Sequence, residues 1–168
     1  MTLLIADAGP LIGLARIERL FLLQEIFGTV IIPPKVCSEL AIKDNRPGAL
    51  RLDAAINDGW LKVVDLEEKP LPAISRSVDE GEAEAITLAI SMKSKHPQLL
   101  IDDRRGRLVA KHHRIKIIGT AGVLLLAHKH RLLPKLEPIL EELRAVGYRL
   151  SISLCRKILD KAGETSNE

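Results

Sequence analysis

The residues of this chain best placed to do chemistry are carboxylates. Asp7 comes directly after the apolar run Leu3-Leu4-Ile5-Ala6, and Asp102-Asp103 directly after Leu99-Leu100-Ile101. Glu39 stands three residues after Val36 and next to Leu40, beside the apolar stripe of a short helical pattern rather than opposite it. Further on, Ala85, Leu88, Ala89 and Met92 recur at i, i+3, i+4, i+7. Glu82 lies one turn before Ala85 on that stripe, whereas Glu84 falls with Thr87, Ser91 and Lys95 on the polar face. Glu82 is therefore the acid expected to point inward, and Glu84 the solvated one.

Taken singly, each acid has an ordinary explanation. Acids in a helix's first turn complement the dipole, and an Asp after a strand is often a turn or cap residue. Together they come from four separate segments. Like charges gathered within a few ångströms repel unless a cation neutralises them. No Cys or His stands in ligand spacing, so an oxygen-only set favours Mg2+ or Mn2+ over Zn2+. Carboxylate-bound Mg2+ points to phosphate chemistry: activation of water and in-line displacement at phosphorus.

The elements that must position these acids alternate between strand and helix. Leu3–Ala6, Thr29–Ile32, Leu61–Leu66 (an edge), Leu99–Ile101 and Ile115–Ile118 read as strands. Pro10–Gln24 (one or two helices), Lys35–Lys43, Ala49–Asp58, Glu80–Lys95 and Arg104–His113 read as helical. So do Thr120–His130, with Thr120 as N-cap, Lys135–Val146, and Ile152–Ala162, capped by Ser151. Glu67–Ser77 reads as a proline-containing loop. This alternation predicts a three-layer α/β/α sandwich with a central, mostly parallel sheet. Ligands in such sheets bind beyond the carboxyl ends of the strands, where Asp7 and Asp102-Asp103 fall. No linker or repeat interrupts the pattern, so residues 1–162 read as a single domain and residues 163–168 as a disordered tail.

Composition narrows the class further. The 168 residues are 46% hydrophobic but only 2% aromatic, so the core must be aliphatic. A net charge of +3 permits nucleic-acid binding without demanding it and excludes a histone-like protein. Two distant cysteines, Cys37 and Cys155, read as apolar fillers in a reducing compartment. The N-terminus lacks a basic region and reads as a strand rather than a signal peptide. No apolar run is long enough to cross a bilayer. A cytoplasmic protein is expected.

The segments LLIADAGPLIGLARI, PPKVCSEL, DEGEAEAITLAI, LLIDDRRGRLVA and IIGTAGVLLLA, in this order, resemble the PIN-domain superfamily. They are similar to a bacterial and archaeal branch of predicted PIN proteins related to the toxins of VapBC-type modules. The resemblance runs from about Thr2 to about Leu154. It implies a metal-dependent ribonuclease, with Asp7, Glu39, Glu82 and Asp103 as catalytic acids and Asp102 joining them as a metal ligand. Two departures stand out: Glu82 where the toxins more often carry Asp, and Ile101 where Thr is usual. The resemblance also implies RNA as substrate, a cognate antitoxin as partner, and a homodimer.

Cations follow the acidic pair directly. Arg104 and Arg105 start at the expected active edge and are candidates for phosphate contact, with Arg107 and Lys111 behind them. Phe21, Phe27, Trp60 and Tyr148 are too few and scattered for a stacking platform, so binding to backbone and shape is expected. The competing reading is a catalytically weak or inactive PIN-like module that binds nucleic acid or a partner. A haloacid-dehalogenase-type phosphatase would need a second Asp where Gly9 stands, and a receiver domain would place its paired acids after the first strand.

Overall fold

The first strand, β1 (Leu4–Ala6), is buried along its whole length, as is β2 (Val30–Ile32). Strands apolar on both faces belong in a sheet covered on both sides. A computed structural model describes residues 1–164 and shows that sheet. Its five strands lie in the order β3-β2-β1-β4-β5, with β3 (Leu61–Val63), β4 (Gln98–Leu100) and β5 (Lys116–Ile118). Every neighbouring pair is parallel, so the architecture is the expected α/β/α sandwich. Leu61–Leu66 is an edge strand, as read, but only its first three residues pair.

Parallel pairing forces a helical crossover between strands, and right-handedness fixes its side. The β1-to-β2 crossover carries α1 (Ala8–Arg16) and α2 (Phe21–Phe27). Glu18, in a left-handed conformation at φ 58°, separates the two helices within what the sequence reads as Pro10–Gln24. After β2 come α3 (Pro34–Glu39) and α4 (Ala49–Asn57). The helix expected over Lys35–Lys43 stops at Glu39, because Ala41 turns left-handed at φ 50° and a 3-10 turn follows. The expected loop Glu67–Ser77 contains one helical turn, α5 (Pro72–Ser75), with Pro72 supplying a helix start.

The return crossover to β4 is α6 (Glu80–Ser91), which packs on β1 and β4. It is shorter than expected, its last turn becoming a separate 3-10 turn at Lys93–Lys95. α7 (Arg104–His112) lies beside α6. α8 (Thr120–Lys129) packs against α2, and α10 (Ile152–Ala162) against α8, with α9 (Glu137–Ala145) touching α1. Ser151 caps α10 as read, its hydroxyl accepting from the Leu154 amide at 3.1 Å. Thr120 is not the N-cap of α8. Gly119 takes that place, and Thr120 is the first helical residue, fully buried.

The core is aliphatic, with Phe27 its one fully buried aromatic among the described residues. The described residues continue past Ala162. Gly163 ends α10 in a left-handed conformation, and the Glu164 carboxylate accepts from the Leu136 and Glu137 amides at 2.7 and 3.1 Å. The remainder of the segment read as a tail, residues 165–168, lies outside the described residues.

A candidate acidic site at the β1/β4 crevice

β1 and β4 are neighbours whose onward connections run in opposite directions, towards β2 and towards β5. A crevice must open beyond their carboxyl ends, the usual ligand position in such sheets. The strand ends are tied together there: the Asp7 amide donates to the Leu100 carbonyl at 2.9 Å. Asp7 is the N-cap of α1, yet its carboxylate makes no capping bond. It is held only 8% exposed. Burial pushes its pKa up to about 7, and the charges of Asp79, Glu39 and Asp102 push the same way against the stabilising Ala8 amide.

Glu39 is the last residue of α3, which packs on α6. Its carboxylate rests on the Cα of Gly81, so closely that an added Cβ would sit 2.7 Å from Oε1. Burial raises the Glu39 pKa, as does the Asp79 charge, while the Lys35 cation and the Gly81 amide lower it. Glu82 points inward and is 6% exposed. Its pKa is pushed up to about 8, first by burial and then by the charges of Asp79, Asp7 and Asp103.

Asp79, not singled out in the sequence, is the charge these three acids share. It is the N-cap of α6: its Oδ1 accepts from the Glu82 amide at 2.8 Å, and Glu82 Oε2 accepts from the Asp79 amide at 3.4 Å. This reciprocal pair is a capping box, legible as Asp79-Glu80-Gly81-Glu82. Glu84 departs from expectation, being half-buried with Oε2 accepting from the Lys35 amide at 2.9 Å, where it holds the start of α3.

Asp102 and Asp103 part company. Asp103 is exposed and caps α7, with Oδ2 accepting from the Gly106 amide at 2.9 Å. Asp102 turns towards α8. Its Oδ1 accepts from the Thr120 amide at 2.8 Å, and its Oδ2 from the Thr120 hydroxyl at 2.5 Å and from the Tyr148 hydroxyl. Burial and the Asp102 charge both raise the Tyr148 pKa above the usual phenol range. Neither Thr120 nor Tyr148 was predicted to serve the site, since nothing in their local sequence ties them to Asp102.

An open cleft of about 430 Å³ leads to this centre, lined by Arg76, Ser77, Val78, Asp79, Glu82, Asp103 and Arg105. Of the four expected phosphate-contacting cations, Arg105 is the one that lines it. Arg104 is exposed at the start of α7. Arg107 is half-buried and donates from Nη1 to the Ile101 carbonyl at 2.9 Å, so it braces the strand end. Lys111, seven residues after Arg104, is about 10 Å further along the helix.

No Lys, Arg or His among the described residues forms an ion pair with Asp7, Glu39, Asp79, Glu82, Asp102 or Asp103. Two buried carboxyls with raised pKa values and four more acids around them make a strong field for a hard cation. The all-oxygen donor set fits Mg2+ or Mn2+. Among the described residues no three of these side chains are already gathered as a ligand set. The long 3.4 Å bond from Glu82 to the Asp79 amide is the contact such an ion would compete with.

A parallel α/β sheet in this strand order, with an acidic centre at its switch point, has the organisation of a nuclease-type fold. The chain belongs to the PIN-domain family: a family model described as a PIN domain matches residues 3–164. Comparison with curated proteins and with solved structures finds no match for the chain. PIN domains are generally nucleases that use divalent metals, so a phosphodiester is the class of bond and a nucleic acid the class of substrate. No helix among the described residues is long and apolar enough to cross a membrane.

Proposed function

We propose that this chain is a metal-dependent endoribonuclease, with Asp7, Glu39, Glu82 and Asp103 as its acids and Asp102 beside them. One observation carries the reading: Asp7 and Glu82 are buried among carboxylates whose charges raise their pKa values, and no Lys, Arg or His among the described residues pairs with either. A site of this kind stores electrostatic repulsion that a divalent ion relieves.

Asp7, Glu39, Glu82 and Asp103 are the residues that would hold Mg2+ or Mn2+, and Asp102 is the further candidate ligand. Bound there, the ion supplies an activated water and offsets charge developing on the phosphate. The chain's own residues do the rest. The Asp7 main chain is fixed by its amide bond to Leu100, which places the residue at the crevice. In the metal-free protein burial raises the pKa of Asp7 to about 7 and of Glu82 to about 8, and a bound ion would hold both as carboxylates. Asp103, held by the Gly106 amide, lines the cleft.

RNA rather than DNA, the toxin role, a cognate antitoxin and a homodimer belong to this proposal through the resemblance alone; a cytoplasmic place and a single domain over residues 1–162 belong to it through composition and the unbroken element pattern. The deciding experiment is cleavage of single-stranded RNA with Mg2+ or Mn2+ by the wild type and by Asp7→Asn. Metal-dependent cleavage lost in the variant supports the reading; equal cleavage by both assigns the activity to another site or a contaminant.

A second reading, a PIN-like module that binds without cutting, has its own support. Glu82 is engaged in a capping box and Asp103 in a helix cap, so both acids also have structural duties. Calorimetric titration with Mn2+ separates the readings: no binding at millimolar concentrations favours the module.

A further inference from the structure

Arg76 is the cation the sequence offered no reason to choose. It ends α5, in the segment that carries the chain to the Asp79 cap, and stands on one side of the acidic cleft. Arg105, in the first turn of α7, belongs to the same cleft. Asp79, Glu82 and Asp103 line it with them. Two arginines and three acidic residues thus line one cleft of about 430 Å³. Yet neither arginine comes within ion-pair distance of any of the three acids among the described residues.

In an exposed cleft an ion pair is worth only about 0–1 kcal/mol, so exposed guanidinium groups stay free for a stronger partner. Both helix-cap acids are held back by backbone amides: Asp79 by Glu82 and Asp103 by Gly106. The arginines remain exposed and have no hydrogen-bond acceptor among the described residues. Arg107, two residues on, shows the contrast, since its guanidinium is spent on the Ile101 carbonyl. A guanidinium that is planar, permanently charged and uncommitted fits a phosphate bidentately. Two of them on elements that meet at one cleft fit a phosphodiester chain that enters it.

We propose that Arg76 and Arg105 form a phosphate-binding clamp that holds the nucleic-acid backbone over the acidic centre. The clamp rests on the nuclease reading, and it adds Arg76 as a substrate-positioning residue. It also gives the basic run a definite division of labour: Arg105 holds substrate, and Arg107 holds the fold.

Fluorescence anisotropy with a dye-labelled single-stranded RNA, in Ca2+ to keep the substrate intact, tests it across a salt series. For single strands each phosphate contact contributes about 0.7 to the slope of log K against log salt. Arg76→Ala and Arg105→Ala should each flatten the slope by about 0.7 and weaken binding about tenfold, and the double variant should flatten it by about 1.4. Arg105→Lys should keep the slope but bind more weakly, because the charge stays and the fork is lost. Arg51→Ala, whose side chain pairs with Glu18 on α4's side of the molecule, should leave the slope unchanged.

An unchanged slope in Arg76→Ala overturns the clamp, as does an equal loss in Arg51→Ala, which would mean diffuse attraction. Failure of the wild type to bind RNA overturns it as well. RNA bound with the expected slopes but never cut in Mg2+ or Mn2+ would sink the nuclease reading and leave the clamp supported. Both arginines are exposed, so neither substitution threatens the fold.

Discussion

The hydroxyl of Tyr148 donates to Oδ2 of Asp102, and its ring covers Gly13, where an added Cβ would lie 2.7 Å from the ring carbons. One side chain on the α9–α10 connection thus ties α1 to the end of β4. Thr120, fully buried, completes the arrangement by donating both its amide and its hydroxyl to the same carboxylate. Tyr148→Phe keeps the ring over Gly13 and deletes one donor to a charged acceptor. Unfolding in urea should show a loss of about 1.5–3 kcal/mol. A variant as stable as the wild type would mean that Asp102 does not depend on this bond.

Gly81 offers a substitution that separates fold from function. It sits in the first turn of α6, where Ala is intrinsically preferred to Gly by about 0.5–1 kcal/mol. A Cβ there would collide with the Glu39 carboxylate. Gly81→Ala should therefore leave the denaturation midpoint equal or higher while Mn2+ affinity, read by calorimetry, falls several-fold. Unchanged affinity would remove Glu39 from the metal-binding set.

The residues show why some of the site was legible and some was not. The placement of Asp7, Asp102 and Asp103 is legible because strand ends in a parallel sheet converge by topology, and apolar runs mark strand ends. Glu82 was found inward of Glu84 because a 3.6-residue period distinguishes helix faces. Asp79 stands just before the expected helix Glu80–Lys95, where Asp79-Glu80-Gly81-Glu82 spells a capping box but the apolar stripe that marks the helix gives no sign of it. Tyr148 and Thr120 reach Asp102 across 46 and 18 residues of chain, and such contacts leave no local pattern. The break in α3 likewise depends on a left-handed Ala41, a conformation its residue type does not announce.

Asp79 carries two roles that different substitutions pull apart. Asp79→Ala removes both the charge and the cap of α6, and loss of an N-cap costs about 1 kcal/mol. Asp79→Asn removes only the charge, because Asn caps as well as Asp. Thermal unfolding should rank Asn at or above wild type and Ala below it. In the Asn variant the pKa values of Asp7, Glu39 and Glu82 should all fall, since each is raised by the Asp79 charge. Carboxyl carbon NMR titration reads this directly. Unmoved carboxyl resonances would show that Asp79 lies outside their electrostatic reach.

The same raised pKa values set a pH dependence for the metal-free protein. Unfolded, Asp7 releases its proton near its ordinary value of 3.8 and Glu82 near 4.5; folded, they hold it to about 7 and about 8. Between about pH 4 and pH 8 these two groups bind more protons in the native state than in the unfolded state, so their contribution to unfolding free energy falls as pH rises. The contribution of these two groups is complete below about pH 4 and lost above about pH 8, the reverse of the usual paired carboxylate. A divalent ion competes with those protons, so its stabilisation should grow over the same interval. Urea midpoints measured with a chelator should decline from about pH 5 to about pH 8, and Mg2+ should restore them at the upper end while doing little at the lower. A midpoint that holds or rises with pH in the chelated protein would place Asp7 and Glu82 in a far wetter or better-compensated setting than the β1/β4 crevice provides.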